Sequence, residues 1–232
     1  MDYKEFKTEF NLAYNNISSN QAPGLDDVEI SMYLSKAQIT LEDALYAEFE
    51  KSEEARRKLA PLVETAKIST AVISEDNILY PEYTTTYQSN VLNNVRYIIN
   101  EQVVMSSEAD SCIANKHIKV QPVLHDELDS IINNPFRFNI RRALRLDTSL
   151  NNSNYIEILT KDKHIDYYKI RYVKNPKPIF IYSSSDYDDT IDGQTAPTTL
   201  QDGVDLGSLP KETHRQIVEI AAKMAYADYK NA

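Results

Sequence analysis

The sequence predicts an α+β fold, with helices at both chain ends packed into a helical core and a β-rich middle subdomain. Three observations carry this prediction. Apolar residues recur at three- and four-residue spacing near the N-terminus and again over the last two dozen residues. Between them, runs such as VRYIINEQVVM (95–105) are rich in β-branched and aromatic residues with partial alternation. Only four glycines occur, fewer than hairpin-dense all-β folds and phosphate-binding loops usually need.

The elements follow in chain order. Phe6, Phe10 and Tyr14 form one stripe, which predicts a helix over 1–16, and Pro23-Gly24 marks the break after it. Asp26 with Glu29 three residues on has the pattern of a capping box. The helix it opens over 27–49 would be roughly 35 Å long at ~1.5 Å per residue. Ile30, Leu34, Ala37, Leu41, Leu45 and Phe49 make its buried face, and Lys36, Glu42, Asp43, Glu48 and Glu50 its solvent face. Ser52 is placed to cap a short helix over 52–59, which Pro61 stops.

From there the period changes. Strand-type runs occur at 71–73, 95–105, 117–123, 143–147, 155–160 and 166–173, with a short helix between 124 and 132 ended by Asn133-Asn134-Pro135. The turn at 161–164 suggests that the last two strands pair as a hairpin. Two prolines at 176 and 178 suggest that 175–182 is an extended edge segment. Residues 183–208 hold six aspartates and no Lys or Arg, and read as a loop that is either mobile or ordered by a partner. The chain closes in a helix whose apolar face is Ile217, Ile220, Ala221, Met224 and Ala225, with Ser208 as a cap and an end near Tyr229. The expected organisation is 1–61 as the N-terminal part of the helical core, 62–182 as the β-rich insertion, 183–208 as the acidic loop and 209–232 as the helix completing the core.

Composition excludes several functions. The net charge of −10 leaves no overall basic footprint for nonspecific nucleic-acid binding. A single cysteine, Cys112, excludes an internal disulfide framework, and with no activating partner nearby it reads as a small buried residue. The polar start MDYKEFKTEF is no signal peptide, and no run of about 18 apolar residues is present for a membrane span, so a protein that is soluble and intracellular at synthesis is expected. His117, His125, His164 and His214 are scattered, without metal-ligand spacing, and read as surface or partly buried residues. Asp186, Asp188, Asp189 and Asp192 precede Gly193 but lack calcium-loop spacing and its closing Glu. No nucleophile elbow, P-loop or dinucleotide fingerprint is found. Catalytic, cofactor-binding and metal-binding residues are therefore all expected to be none, and no enzyme activity is expected.

The remaining features suggest interaction. Sixteen tyrosines suit large contacts with a wet rim. Exposed-looking apolar residues cluster at 134–138 and 167–173, and the segment 175–182 could extend a neighbour's sheet edge. Arg137, Arg141, Arg142 and Arg145 form a basic cluster suited to intersubunit salt bridges or to an acidic partner surface.

Four stretches, in this order along one chain, resemble virion structural proteins of tailed phages that infect Bacteroidota, especially the crAss-like group. They are LDDVEISMYLSKAQITLEDALY (25–46), VQPVLHDELDSIINNPFRFNIRRALRLD (120–147), YKIRYVKNPKPIFIY (168–182) and LPKETHRQIVEIAAKMAYADY (209–229). The resemblance implies a head–tail connector (adaptor ring) subunit of the virion neck. Such a protein forms a homo-oligomeric, commonly dodecameric ring, contacts the portal and adjacent ring or tail proteins, and surrounds the DNA channel without binding DNA specifically. It implies no cofactor, no membrane and no catalytic residue. The β-rich middle departs from the minimal all-helical adaptor. A tail-completion, stopper or minor capsid protein is the nearest alternative. An acidic lining would repel phosphates and lower friction on a sliding genome, so the loop 183–208 or the acidic helix faces are expected to face the lumen or a partner.

Overall fold

A computed structural model describes residues 1–18, 23–68, 78–89, 91–150, 153–184, 190–191, 193–201 and 203–231. The chain divides into two compact units, one made of Met1–Leu62 with Pro176–Ala232, the other of Val63–Asn175. The fold is α+β, as the two hydrophobic periodicities predict: terminal helices and a mixed seven-stranded sheet from the middle of the chain.

In the helical unit, α1 spans Tyr3–Ser18, α2 Asp27–Ala47, α3 Glu53–Leu59 and α5 His214–Asn231. The helix starts have local causes. The Asp26 carboxylate accepts from the Glu29 amide at 2.7 Å, and the Glu29 carboxylate accepts from the Asp26 amide at 3.0 Å. Such a cap contributes about 1 kcal/mol. Asp2 and Glu5 make the same reciprocal pair at the start of α1 (2.9 and 3.1 Å). Ser52 caps α3 by accepting from Ala55. Helix α5 packs along both α1 and α2. It buries Ile217, Val218, Ala221, Ala222 and Ala225, whereas Ile220 and Met224 lie half-buried at the border of that face. Ser208 does not cap it: the chain enters through a 3₁₀ turn at Lys211–Thr213, and the Ser208 hydroxyl accepts from the Lys177 amide at 2.9 Å.

The buried face of α2 is wider than its apolar stripe. Ser31, Ser35, Gln38 and Glu42, at helical spacing, are buried with Leu34, Ala37 and Leu41, so Glu42 is not on the solvent face. These polar residues receive a backbone. The segment 176–182 is not an edge strand: it runs as an extended strap along α2, with Ile179, Phe180, Ile181 and Tyr182 buried. Its amides at Ile179 and Ile181 donate to the hydroxyls of Ser35 and Ser31, both at 3.0 Å. The Gln38 amide group donates to the Lys177 carbonyl at 2.9 Å and accepts from the Ser208 amide at 3.1 Å. Side chains at a four- and then three-residue step thus replace a neighbouring strand as the partners of this backbone.

The described residues of 183–208 also fold onto this unit. Strands β8 (Thr190–Ile191) and β9 (Gln194–Thr195) form a small hairpin, with Gly193 at φ 71°, that buries Ile191 and Ala196 against Phe180 and Tyr182. Asp205 pairs with the Met1 amine at 2.8 Å and with Lys211 at 3.0 Å. These apolar and ionic anchors hold that part of the segment without an external partner. Asp186, Asp188, Asp189 and Asp192 lie outside the described residues.

His214, expected at the surface or partly buried, is fully buried against the Phe6 ring, centroids 5.2 Å apart. Its Nδ1 lies 2.7 Å from the Met1 amine and its Nε2 3.0 Å from the Leu209 carbonyl. That pattern requires a neutral ring protonated at Nε2. Gly207 sits so close that a Cβ there would fall 2.5 Å from Nε2.

The β unit contains β1 (Val63–Ile68), β2 (Thr84–Tyr87), β3 (Val95–Met105), β4 (His117–Pro122), α4 (Leu128–Ile132), β5 (Ala143–Leu150), β6 (Ser153–Leu159) and β7 (Ile165–Lys174). The sheet order is β1-β7-β3-β4-β5-β6-β2, antiparallel except for the parallel pair β4–β5 that the α4 crossover connects. The expected hairpin across 161–164 does not form. Strand β6 pairs with β5 and β2, while β7 pairs with β1 and β3, because the chain leaves one end of the curled sheet for the other at that turn. The run 71–73 lies outside the described residues.

Alternation assigns two cores within the β unit. Ile68, Tyr87, Val103, Val120, Ile158, Tyr168 and Ile170 fill the inside of the curl. On the outer face, Leu128 and Ile131 of α4 pack with Phe138, Leu144, Leu146 and Leu159.

Two predictions follow from the helical unit. Ser35→Ala removes the acceptor of a buried amide and should cost about 1–3 kcal/mol in denaturant unfolding, whereas Thr40→Ala on the exposed side should cost far less. The imidazole of His214 is held below its usual range, first by burial and also by the Met1 ammonium, against the pull of the Leu209 carbonyl and Asp205. The unfolded chain therefore takes up a proton at higher pH than the native one. Stability should be full above about pH 6.5 and fall as pH drops toward the depressed value, and His214→Gln should flatten that slope.

Candidate functional site

The chemically distinctive feature of the β unit is a buried ion pair that opens into a cleft. Strand alternation turns Arg145 and Asp147 of β5 away from the Leu144–Leu146 face. The Arg145 guanidinium donates to Glu101 of β3 at 3.0 Å and to Asp147 at 3.2 Å. Tyr168 of β7 donates its hydroxyl to the second Glu101 oxygen at 2.7 Å. Glu101 and Tyr168 are buried and Arg145 nearly so. Burial and the adjacent Glu101 charge push the Tyr168 hydroxyl far above its ordinary range, so it remains a neutral donor. Burial works to lower the Arg145 pKa, but Glu101 and Asp147 outweigh it and the net shift is upward. Arg145 is thus held as a cation beside a neutral Tyr168 donor.

Around it lies a cleft of about 580 Å³, walled by Tyr97, Ile98, Pro122 and Tyr155 and floored by Glu101 and Arg145. Nearby, Glu157 on β6 has its carboxyl pushed up by burial, partly offset by a hydrogen bond from Thr148 and the charge of His125.

The other residues singled out by sequence are not brought together. His117, His125 and His164 are exposed; His125 Nε2 lies 3.1 Å from the Asp147 carbonyl, and His164 Nδ1 2.7 Å from the Asp162 carboxylate. Among the described residues no group of three or more His, Cys, Asp or Glu side chains could hold a metal ion. Cys112 is exposed rather than buried, on a turn where its amide donates to Asp110 at 2.8 Å. The basic cluster splits: Arg137, Arg141 and Arg142 are exposed, and Arg145 belongs to the buried pair. The aromatic run at 134–138 also splits, with Phe136 86% exposed and Phe138 fully buried. The run at 167–173 is interior strand, with Tyr168, Ile170, Tyr172 and Val173 buried in the core and Tyr167 half-buried under Lys67. Among the described residues the sheet's terminal strands are β1 and β2, not 167–173 or 175–182.

Over residues 1–232 the chain matches the family described as phage tail ring protein 3/4. The chain belongs to the phage tail ring protein 3/4 family. Two relatives come from one virus, Bacteroides phage crAss001. Ring protein 4/5 is 28% identical over 245 residues, covering 99% of this chain and 94% of its own length. Ring protein 3 is 28% identical over 247 residues, covering 97% and 95%. This ring protein is thus a virion structural protein of the crAss-like phages, and both of its units lie within the matched span. In the described residues of the ring protein, no helix is long and apolar enough to cross a membrane.

The ion pair of this ring protein gives a direct test. Arg145→Met leaves Glu101 buried beside an apolar group and should destabilise the β unit by about 3–5 kcal/mol. The double change Glu101→Leu with Arg145→Met should recover much of that, as read by denaturant unfolding.

Proposed function

We propose that the chain forms a closed homo-oligomeric ring, probed best as a dodecamer, in the head–tail connector of the virion. In this reading it links the portal side to the tail, and the genome passes through its lumen without specific binding. It acts by assembly alone, with no cofactor, no membrane and no turnover. The observation that carries the reading is the match to ring proteins along the whole chain, both the helical unit and the β unit included. A ring subunit invests its surface in neighbours, and a cyclic ring needs two different complementary patches on each copy.

The charge supports the channel. With a net −10, the subunit offers phosphates no overall attraction, and a DNA conduit benefits from weak contacts because tight Lys and Arg contacts would retard sliding. Electron microscopy of intact necks should show this chain as a closed ring around the DNA path between portal and tail. Its absence from purified particles by mass spectrometry, or its location away from the neck, would overturn the reading. Changing Asp186, Asp188, Asp189 and Asp192 together to Asn should slow DNA release from assembled particles, and unchanged release would remove those aspartates from the channel.

A further inference from the structure

We propose that the ring's subunit contact runs through the β unit, with Phe136 of one copy seated in the Glu101–Arg145 cleft of the next. The proposal rests on the ring reading above and names the two patches that such a ring requires.

Phe136 is a fixed knob. It follows Pro135, and its amide donates to the Asn134 side chain at 3.0 Å. The amides of Arg137 and Phe138 return to the Asn134 carbonyl at 3.0 and 2.9 Å. Phe138 anchors the turn in the outer core, edge-on to Tyr83 with centroids 5.3 Å apart. An aromatic ring held out on an ordered turn loses little entropy when it is buried by a partner, as interface hot spots require. Among the described residues, the other large apolar side chains exposed in this unit flank the same helix. Leu124, 65% exposed, leads into α4, and Leu79, 71% exposed, precedes Tyr80, whose hydroxyl bonds to Asp129 of α4.

The cleft is the matching hole. Tyr97, Tyr155, Ile98 and Pro122 give it aromatic and apolar walls. Its floor is the Glu101–Arg145 ion pair, braced by the Tyr168 hydroxyl. Asp147, with its side chain 66% exposed, stands at the rim, and the charged residues of the lining balance, Glu101 and Asp147 against Arg145 and Arg96. Arg137, exposed beside Phe136, brings a charge opposite to that of the rim carboxylate. Arg96, also on the cleft wall, lies over the Tyr97 ring 5.5 Å from its centroid.

The two patches are on opposite faces of one sheet. Leu144 and Leu146 point to α4 and the knob, whereas Arg145 and Asp147 point to the cleft. Knob and hole therefore cannot meet within one pair of copies related by a twofold axis through either patch. They fit the head-to-tail contact of a closed ring.

The test uses particles assembled with the photoreactive analogue p-benzoylphenylalanine in place of Phe136, irradiated and mapped by mass spectrometry. A crosslink to residues 95–98, 122 or 145–156 of a second copy supports the proposal. A crosslink to a different virion protein, to another part of a second copy, or no crosslink in particles that contain the chain overturns it. If unmodified particles lack the chain altogether, it is the ring reading that fails. In parallel, Phe136→Ala should leave the thermal unfolding of the purified chain unchanged while lowering its self-association by at least about tenfold. Unchanged association also counts against the knob.

Discussion

The helical unit depends on one interaction, the reception of an extended backbone by the side chains of a helix. Among the described residues no strand pairs with 177–181, yet the amides of Ile179 and Ile181 and the carbonyl of Lys177 are buried or nearly so and need partners. Ser31, Ser35 and Gln38 supply them from successive turns of α2. Because Gln38 also accepts from the Ser208 amide, the same row ties the approach to α5. Capping, apolar stripes and the α5 contacts shape the unit, but this row joins its two chain segments.

Much of this was legible. The reciprocal Asp26–Glu29 cap, the Ser52 cap, the Phe6–Phe10–Tyr14 stripe and the strand at 95–105 all follow from local rules, and local structure obeys them. The errors share a different cause. Glu42 is polar, and polarity alone places it outside; it is buried on the same face as Ser31 and Ser35, whose backbone partners lie more than a hundred residues away in sequence. Two prolines correctly mark 176–182 as extended, but extension does not say whether the partner is a strand or a helix. The 161–164 turn sits between two real strands, yet register and partner are set by the curl of the whole sheet, which no local turn encodes.

The candidate surfaces divide in the same way. Composition finds the arginines and aromatics near 134–145 but cannot sort them. Alternation on β5 separates Arg145, which holds the floor of the cleft, from the exposed Arg137, Arg141 and Arg142. Phe136 and Phe138 differ by two positions and by nearly complete exposure against complete burial, because a tight turn intervenes where a strand would have kept them on one face. The signal available in sequence was Asn134-Pro135, a turn that breaks the α4 helix and lifts the next residue away from the chain.

The interruption of the helical unit by residues 63–175 has a consequence for biogenesis. Helices α1 and α2 leave the ribosome early, but the groove they form is filled only when the strap and α5 emerge, more than a hundred residues later. The sheet can mature in the meantime, whereas the helical unit has high contact order and must wait. A nascent or truncated polypeptide would expose the row of hydroxyls and the apolar stripe together, a state recognisable to chaperones and unfit for incorporation. The topology thereby ties completion of the helical unit to the arrival of its second segment.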